Sequence, residues 1–212
     1  MEIFRRMAIY VKDLSNEEYL VLKVAERLTT KFNRIAVDKI CEETGFSEKY
    51  VLNIIKKLSK IGCMTYFEKP YPSIILLTGG IDLLALKKLS DKNIITAIGR
   101  QIGIGKESDI YDGLDAYGNR VSLKVYRLGR ISFRGISKKR SYASVSISYK
   151  WIKRNYVSAK REFLALSELY RGGVSVPRPI YRVMHIIVME ALTGVLLHDL
   201  KECKNPLKLL KK

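Results

Sequence analysis

The segment Gly103-Ile104-Gly105-Lys106-Glu107-Ser108 sits between two strand-like runs. Glycines there let backbone N–H groups approach phosphate oxygens closely, and Ser108 adds a hydroxyl donor. It is not a Walker A loop, which needs Gly at 100, where Arg100 stands, and Ser or Thr at 107, where Glu107 stands. Two glycines between strands also make an ordinary tight turn, so the loop alone decides nothing. Lys124 is centred in Val121-Ser122-Leu123-Lys124-Val125. A lysine in an apolar strand is costly unless it is paired or the strand is a solvent-facing edge. Glu162 is the first acid after Asp115. It either answers a distant cation or is an exposed helix acid beside Lys160 and Arg161. Asp109, Asp112 and Asp115 cluster on a strand and its turn, where exposed acids are expected rather than metal ligands.

The elements that must position these groups fall into two sets. Ser15 or Asn16 caps a first helix whose apolar positions are Leu20, Val21, Val24, Ala25 and Leu28. A second helix fits Val37 to Glu43 and stops at Gly45. A third, capped by Ser47, has the stripe Val51, Ile54, Ile55, Leu58 and Ile61, with Lys49, Asn53, Lys56, Lys57 and Lys60 on its other face. A hairpin follows, from Met64 to Phe67 and Ser73 to Thr78. Gly79-Gly80 reads as a break before a helix over Ile81 to Leu89. This is the order of a winged helix-turn-helix domain, assigned to residues 1–92 with a linker at 90–93. The period then changes. Strands are expected at Ile94–Ile102, Ile110–Leu114 and Arg120–Tyr126, and a mobile basic insert at Arg127–Lys150. An amphipathic helix over Val157–Tyr170 and a hairpin over Ile180–Val183 and Ile186–Glu190 complete the set. The fold class is therefore α+β.

The chain has 212 residues, 47% of them hydrophobic, which is enough for packed cores and excludes disorder as the main state. No run approaches the roughly 18–20 apolar residues of a membrane span, and no membrane partner is expected. Three widely spaced cysteines fit free thiols in a reducing cytoplasm and exclude a paired-cysteine zinc site. The net charge of +18 is uneven. Residues 1–92 hold 16 basic and 12 acidic side chains, while 93–212 hold 23 and 9. The 46 residues between Asp115 and Glu162 contain 13 Lys or Arg and no acid. Such a stretch is either a solvated face or the seat of a polyanion. The modest charge of residues 1–92 makes duplex DNA the weaker reading for the third helix, whose Lys49, Lys56 and Lys57 are its candidate nucleic-acid contacts.

A Gly-rich strand-loop-strand, a strand lysine, a helix acid and a strand ending Val188-Met189-Glu190 follow the order of a kinase small lobe. In detail the chain resembles a RIO-type atypical serine/threonine protein kinase of the branch with an N-terminal winged helix. The matching residues are Gly105 to Tyr111, Leu123 to Arg130 with Ser132-Phe133-Arg134, Ala159 to Leu166, Val176-Pro177-Arg178-Pro179 and Val188-Met189-Glu190. The resemblance implies a kinase-like small lobe and hinge over 93–212. It implies a phosphate loop of Gly105, Lys106, Glu107 and Ser108, with Lys124 on ATP and Glu162 on Lys124. The backbone of Glu190 and Leu192 would meet adenine.

Arg130, Arg134, Lys138, Lys139 and Arg140 of the basic insert would contact nucleic acid. Ribosomal RNA and the pre-ribosomal small subunit are the partners implied. Mg2+ is expected of the family, but its ligands and the catalytic aspartate belong to a large lobe, and His198-Asp199-Leu200 lies too close to Glu190 to supply them. These 212 residues are thus expected to lack a catalytic loop and to be inactive in phosphotransfer by themselves. The hairpin Ile180 to Leu192 is expected to be left uncovered. The alternative is a non-catalytic winged-helix nucleic-acid-binding protein.

Overall fold

The computed structural model describes residues 2–127 and 149–194. It opens with a helix, α1 (Ile3–Tyr10), that the sequence pattern does not announce; it exists to bury Phe4 and Met7. Ser15 caps α2 (Asn16–Leu28) by accepting from the Glu18 N–H at 3.2 Å, while the Glu18 carboxylate accepts from the Ser15 N–H at 3.1 Å. The short strand β1 (Ile35–Ala36) leads into α3 (Val37–Thr44), which stops at Gly45 with a φ of 73°. Helix α4 (Glu48–Lys60) buries Val51, Ile54, Ile55 and Leu58. Strands β2 (Met64–Phe67) and β3 (Ser73–Leu76) form the wing, in a three-stranded sheet of order β1-β3-β2.

Gly79 and Gly80 do not break the chain. They lie in the first turn of α5 (Thr78–Asp91), whose helix runs past the expected linker start. A Cβ on Gly79 would stand 2.4 Å from the Gly62 carbonyl oxygen, and one on Gly80 2.6 Å from that of Cys63. Glycine is needed here for close approach to the end of α4, not for a turn.

The second sheet is antiparallel, in the order β4 (Ala97–Ile104), β5 (Ser108–Leu114), β6 (Arg120–Tyr126), β8 (Ile186–Glu190), β7 (Pro179–Val183). Directly paired residues share a face. Leu123 pairs Tyr111 and Val188, and Val125 pairs Ile186. This face packs into the same hydrophobic core as the winged helix, with the Phe4 and Tyr111 rings 4.5 Å apart. The other face carries Lys124, paired with Ile110 and Ile187, and meets α6 (Tyr149–Arg171) through Tyr126, Ile187, Ala159 and Phe163. Helix α6 starts eight residues earlier than its apolar pattern indicates.

Of the hairpin expected to be bare, Ile180 and Tyr181 are half-buried and Leu192 is exposed, but its centre is covered. Val183, Ile186, Ile187, Val188 and Met189 are all buried, between the winged helix and α6. Arg127, read as the start of a mobile insert, is buried as well. Its guanidinium donates to both oxygens of Asp82 on α5, at 2.7 and 2.8 Å. His185, in the turn between β7 and β8, meets Asp82 Oδ1 at 2.8 Å through Nε2. Burial alone would raise the Asp82 pKa, but the guanidinium and imidazole outweigh it and hold the carboxyl below its ordinary range. Burial pushes the His185 pKa down, against the pull of Asp82. A proton on His185 Nδ1 would also be a buried donor with no acceptor among the described residues. The ring is therefore neutral.

Both shifts act in one direction. The His185 contribution is complete above about pH 6.5 and lost as pH falls toward the lowered folded-state pKa; that of Asp82 is complete above about pH 4 and lost below it. Thermal unfolding should show a stability loss that begins below about pH 6.5, and His185→Gln should flatten that part of the curve. Asp82→Ala should cost about 3–5 kcal/mol at neutral pH, because it leaves a buried guanidinium without its main partner.

Candidate nucleotide site

Lys124 occupies the central strand β6, not an edge. Its ammonium donates to both oxygens of Glu162 at 2.7 and 2.8 Å. The Tyr126 hydroxyl, two residues along on the same face, also donates to Glu162 Oε2, and the Lys124 nitrogen lies 5.6 Å from the Tyr126 ring centre. Burial first, and then the hydrogen bond to Glu162, push the Tyr126 pKa up, so it is a hydroxyl donor at neutral pH. Glu162 is positioned by a stripe on α6, Ile152, Asn155 and Ala159, which are 2%, 1% and 0% exposed. The pair remains partly open, with side-chain exposures of 24% for Lys124 and 30% for Glu162.

The Gly-rich turn closes over the same end of the sheet. Ser108 pairs with Tyr126 as Ile110 pairs with Lys124, so Ser108 shares the lysine's face about 7 Å along the strand. Gly105, Lys106 and Glu107 are exposed. The Gly105 N–H is occupied, donating to the Ser108 carbonyl at 2.7 Å, and the Glu107 carbonyl accepts from the Arg127 N–H at 2.6 Å. The turn is thus tied to the residue that Asp82 anchors.

At the far end of β8, the Glu190 N–H donates to the Arg178 carbonyl at 2.9 Å, and the Glu190 carboxylate accepts from the Arg178 N–H at 3.3 Å. The Glu190 N–H is therefore already occupied, and of its backbone groups the carbonyl is the one that could meet a purine. Leu192 is 65% exposed.

The other named residues are spread out. Lys49 and Lys56 are exposed on α4. Lys57 is 2.5 Å from the buried Glu18 carboxylate. Arg130, Arg134, Lys138, Lys139, Arg140 and His198-Asp199-Leu200 lie outside the described residues. Asp109 is buried, not exposed, with its carboxylate 3.8 Å from Arg127 Nε. Asp112 pairs with Arg120, and Asp115 accepts the Tyr117 and Asn119 N–H groups in its own turn. Among the described residues, no three His, Cys, Asp or Glu side chains could together hold a metal ion, and no helix is long and apolar enough to cross a membrane. A cleft of about 280 Å3, lined by Arg5, Ile9, Lys12, Leu86, Ile95 and Ile98, lies between α1, α5 and β4 and includes no residue of the Lys124 site.

Sequence reasoning missed Tyr126, Arg127, Asp82, His185 and Tyr156. Tyr126 had a signal, its even spacing from Lys124. The others depend on contacts across 45 residues or more.

A central-strand lysine held by a helix acid, beside a Gly-rich turn on an antiparallel sheet, defines a protein-kinase small lobe. Residues 109–212 match the RIO domain family, and residues 11–92 match the family described as Rio2, N-terminal. The chain is 31% identical over 199 residues to serine/threonine-protein kinase RIO2 of Saccharomyces cerevisiae, covering 92% of this chain and 47% of the yeast protein. It is 33% identical over 160 residues to the RIO-type kinase Rio2 of Methanocaldococcus jannaschii, covering 76% and 58%. The solved Rio2 kinase–ADP/Mg2+–phosphoaspartate complex from Chaetomium thermophilum superposes with a TM-score of 0.80 at 30% identity, over 96% of this chain and 60% of that one. The chain belongs to the RIO kinase family, in the Rio2 branch with an N-terminal winged helix, and spans about half the length of its curated relatives.

The partly open pair and the buried one should respond differently to mutation. Glu162→Gln keeps the side-chain shape and should cost about 1 kcal/mol or less of stability in denaturant unfolding, since solvent screens the pair. A loss as large as that of Asp82→Ala would contradict this geometry.

Proposed function

We propose that this chain is the ATP-binding part of a RIO-type serine/threonine kinase or ATPase, acting in the cytoplasm in maturation of the small ribosomal subunit. The observation that carries the reading is the Lys124–Glu162 ion pair, set on the face of the central strand beside Ser108. Its partial exposure lets phosphate oxygens reach the ammonium without breaking its bond to Glu162. Glu162 and Tyr126 keep the ammonium at one spot. The Lys124 charge then offsets that of the α/β-phosphates, and the Ser108 hydroxyl adds a donor. The peptide after β8 would receive the adenine.

Mg2+ belongs to this reading through the family. The described residues do not fit a metal site, so no step is assigned to it. The 212-residue chain is expected to bind nucleotide without transferring the phosphoryl group.

Ribosomal RNA is the proposed polyanionic partner. Support comes from the acid-free stretch, which holds ten basic residues besides the internally paired Arg120, Lys124 and Arg127, and from Lys49 and Lys56 facing outward on α4. Binding limited to an ordinary electrostatic footprint of about three phosphates would give a log–log salt slope near −2 for single-stranded RNA.

Calorimetry with ATP should find binding that Lys124→Ala weakens at least about tenfold, the worth of one charge-assisted hydrogen bond. Unchanged affinity in a folded Lys124→Ala chain would defeat the proposal. RNA binding with no salt dependence would defeat the RNA part of it.

A further inference from the structure

Helix α6 is a single run of 23 residues that serves two bodies. Its first half is seated on the winged helix. Ile152 is 2% exposed in the shared core, and the Tyr156 hydroxyl donates to Glu26 Oε1 on α2 at 3.1 Å, across 130 residues of sequence. Its second half covers the nucleotide face of the sheet, where the buried contact is small: Tyr126, Ile187 and Ala159, with Phe163 against them. So thin an apolar contact does not by itself fix the helix's rotation, because it has no direction, and the directional contacts on this half are those of Glu162 itself with Lys124 and Tyr126. A hydrogen bond does have direction. The Tyr156 ring also stacks on His185 with centres 6.3 Å apart and planes at 20°, and His185 is itself fixed on Asp82. Tyr156 is therefore held both at its ring and at its hydroxyl. Burial, and then the Glu26 carboxylate, raise its pKa, so the hydroxyl keeps its proton.

We infer that Tyr156 and Glu26 are positioning residues: their hydrogen bond fixes the rotation of α6 and so holds the Glu162 carboxylate on Lys124, six residues and about 9 Å further along the helix axis. The winged helix thereby sets the affinity of the nucleotide site. The inference rests on the nucleotide reading of Lys124 and Glu162, and extends it to a residue pair that touches neither the nucleotide face nor Lys124.

The test uses the whole 212-residue chain with Tyr156→Phe, Glu162→Ala and both together. Two quantities are measured: the acylation rate of Lys124 relative to exposed Lys49, read by peptide mass spectrometry without nucleotide, and the affinity for ATP. Tyr156→Phe should speed Lys124 acylation and weaken ATP about fivefold or more, the lower end of measured couplings between sites. In the Glu162→Ala background it should change neither, because its only route to Lys124 has been removed. Should Tyr156→Phe fail to fold, Glu26→Ala, which removes the acceptor and keeps the ring stack, carries the same expectation. A folded variant with altered unfolding temperature but wild-type Lys124 reactivity would overturn the inference, as would effects that multiply in the double variant. If Lys124 reactivity responds as described while no chain binds ATP, the positioning role stands and the nucleotide reading fails.

Discussion

A carboxylate shut away from water must be met by donors, and Asp82 is met by three: two from Arg127 and one from His185. The three residues come from α5, the end of β6 and the turn between β7 and β8. Apolar packing joins the winged helix to the sheet, but packing tolerates sliding. The bidentate pair fixes one register. That register reaches the face that carries Lys124. Arg127 is the third residue after Lys124, and its N–H holds the Glu107 carbonyl in the Gly-rich turn. The strand lysine and the turn that would share a phosphate are thus referred to a single buried anchor.

The two ion pairs divide the work according to exposure. Asp82 and Arg127 are sealed, so their geometry cannot be traded for water or for a ligand. Lys124 and Glu162 keep about a quarter of their surface open. Such a pair can accept a second anion while the first stays in place, as a nucleotide site requires. Tyr126, donating to Glu162 from beside Lys124, limits where the carboxylate can go.

Much of the fold is legible in the sequence because its signals are local. The Ser15 capping box, the α4 stripe and the alternation of β6 each declare an element within a few residues. The resemblance rests on the same kind of contiguous motif. The illegible parts depend on distant partners. Phe4 and Met7 look like scattered apolar residues in a charged start until Tyr111 is placed against Phe4. Gly79 and Gly80 read as breakers, because nothing nearby announces that the carbonyls of Gly62 and Cys63 press on them. Arg127 adjoins a basic stretch and takes its character from composition, whereas its role is set by an aspartate 45 residues earlier. The hairpin over 180–192 reads as bare because no local signal shows the winged helix covering it. Of the site, the pairing of Lys124 with Glu162 is legible; the residues that hold the pair are not.

The central claim is that nucleotide binds on the Lys124 face of a sheet anchored to the winged helix. Amide hydrogen exchange of the 212-residue chain with and without ATP tests it most directly. The account predicts protection at residues 103–110, 121–126 and 187–192. Protection confined to the cleft between α1, α5 and β4, at residues 5–12 and 95–98, or no protection at saturating ATP, would contradict it.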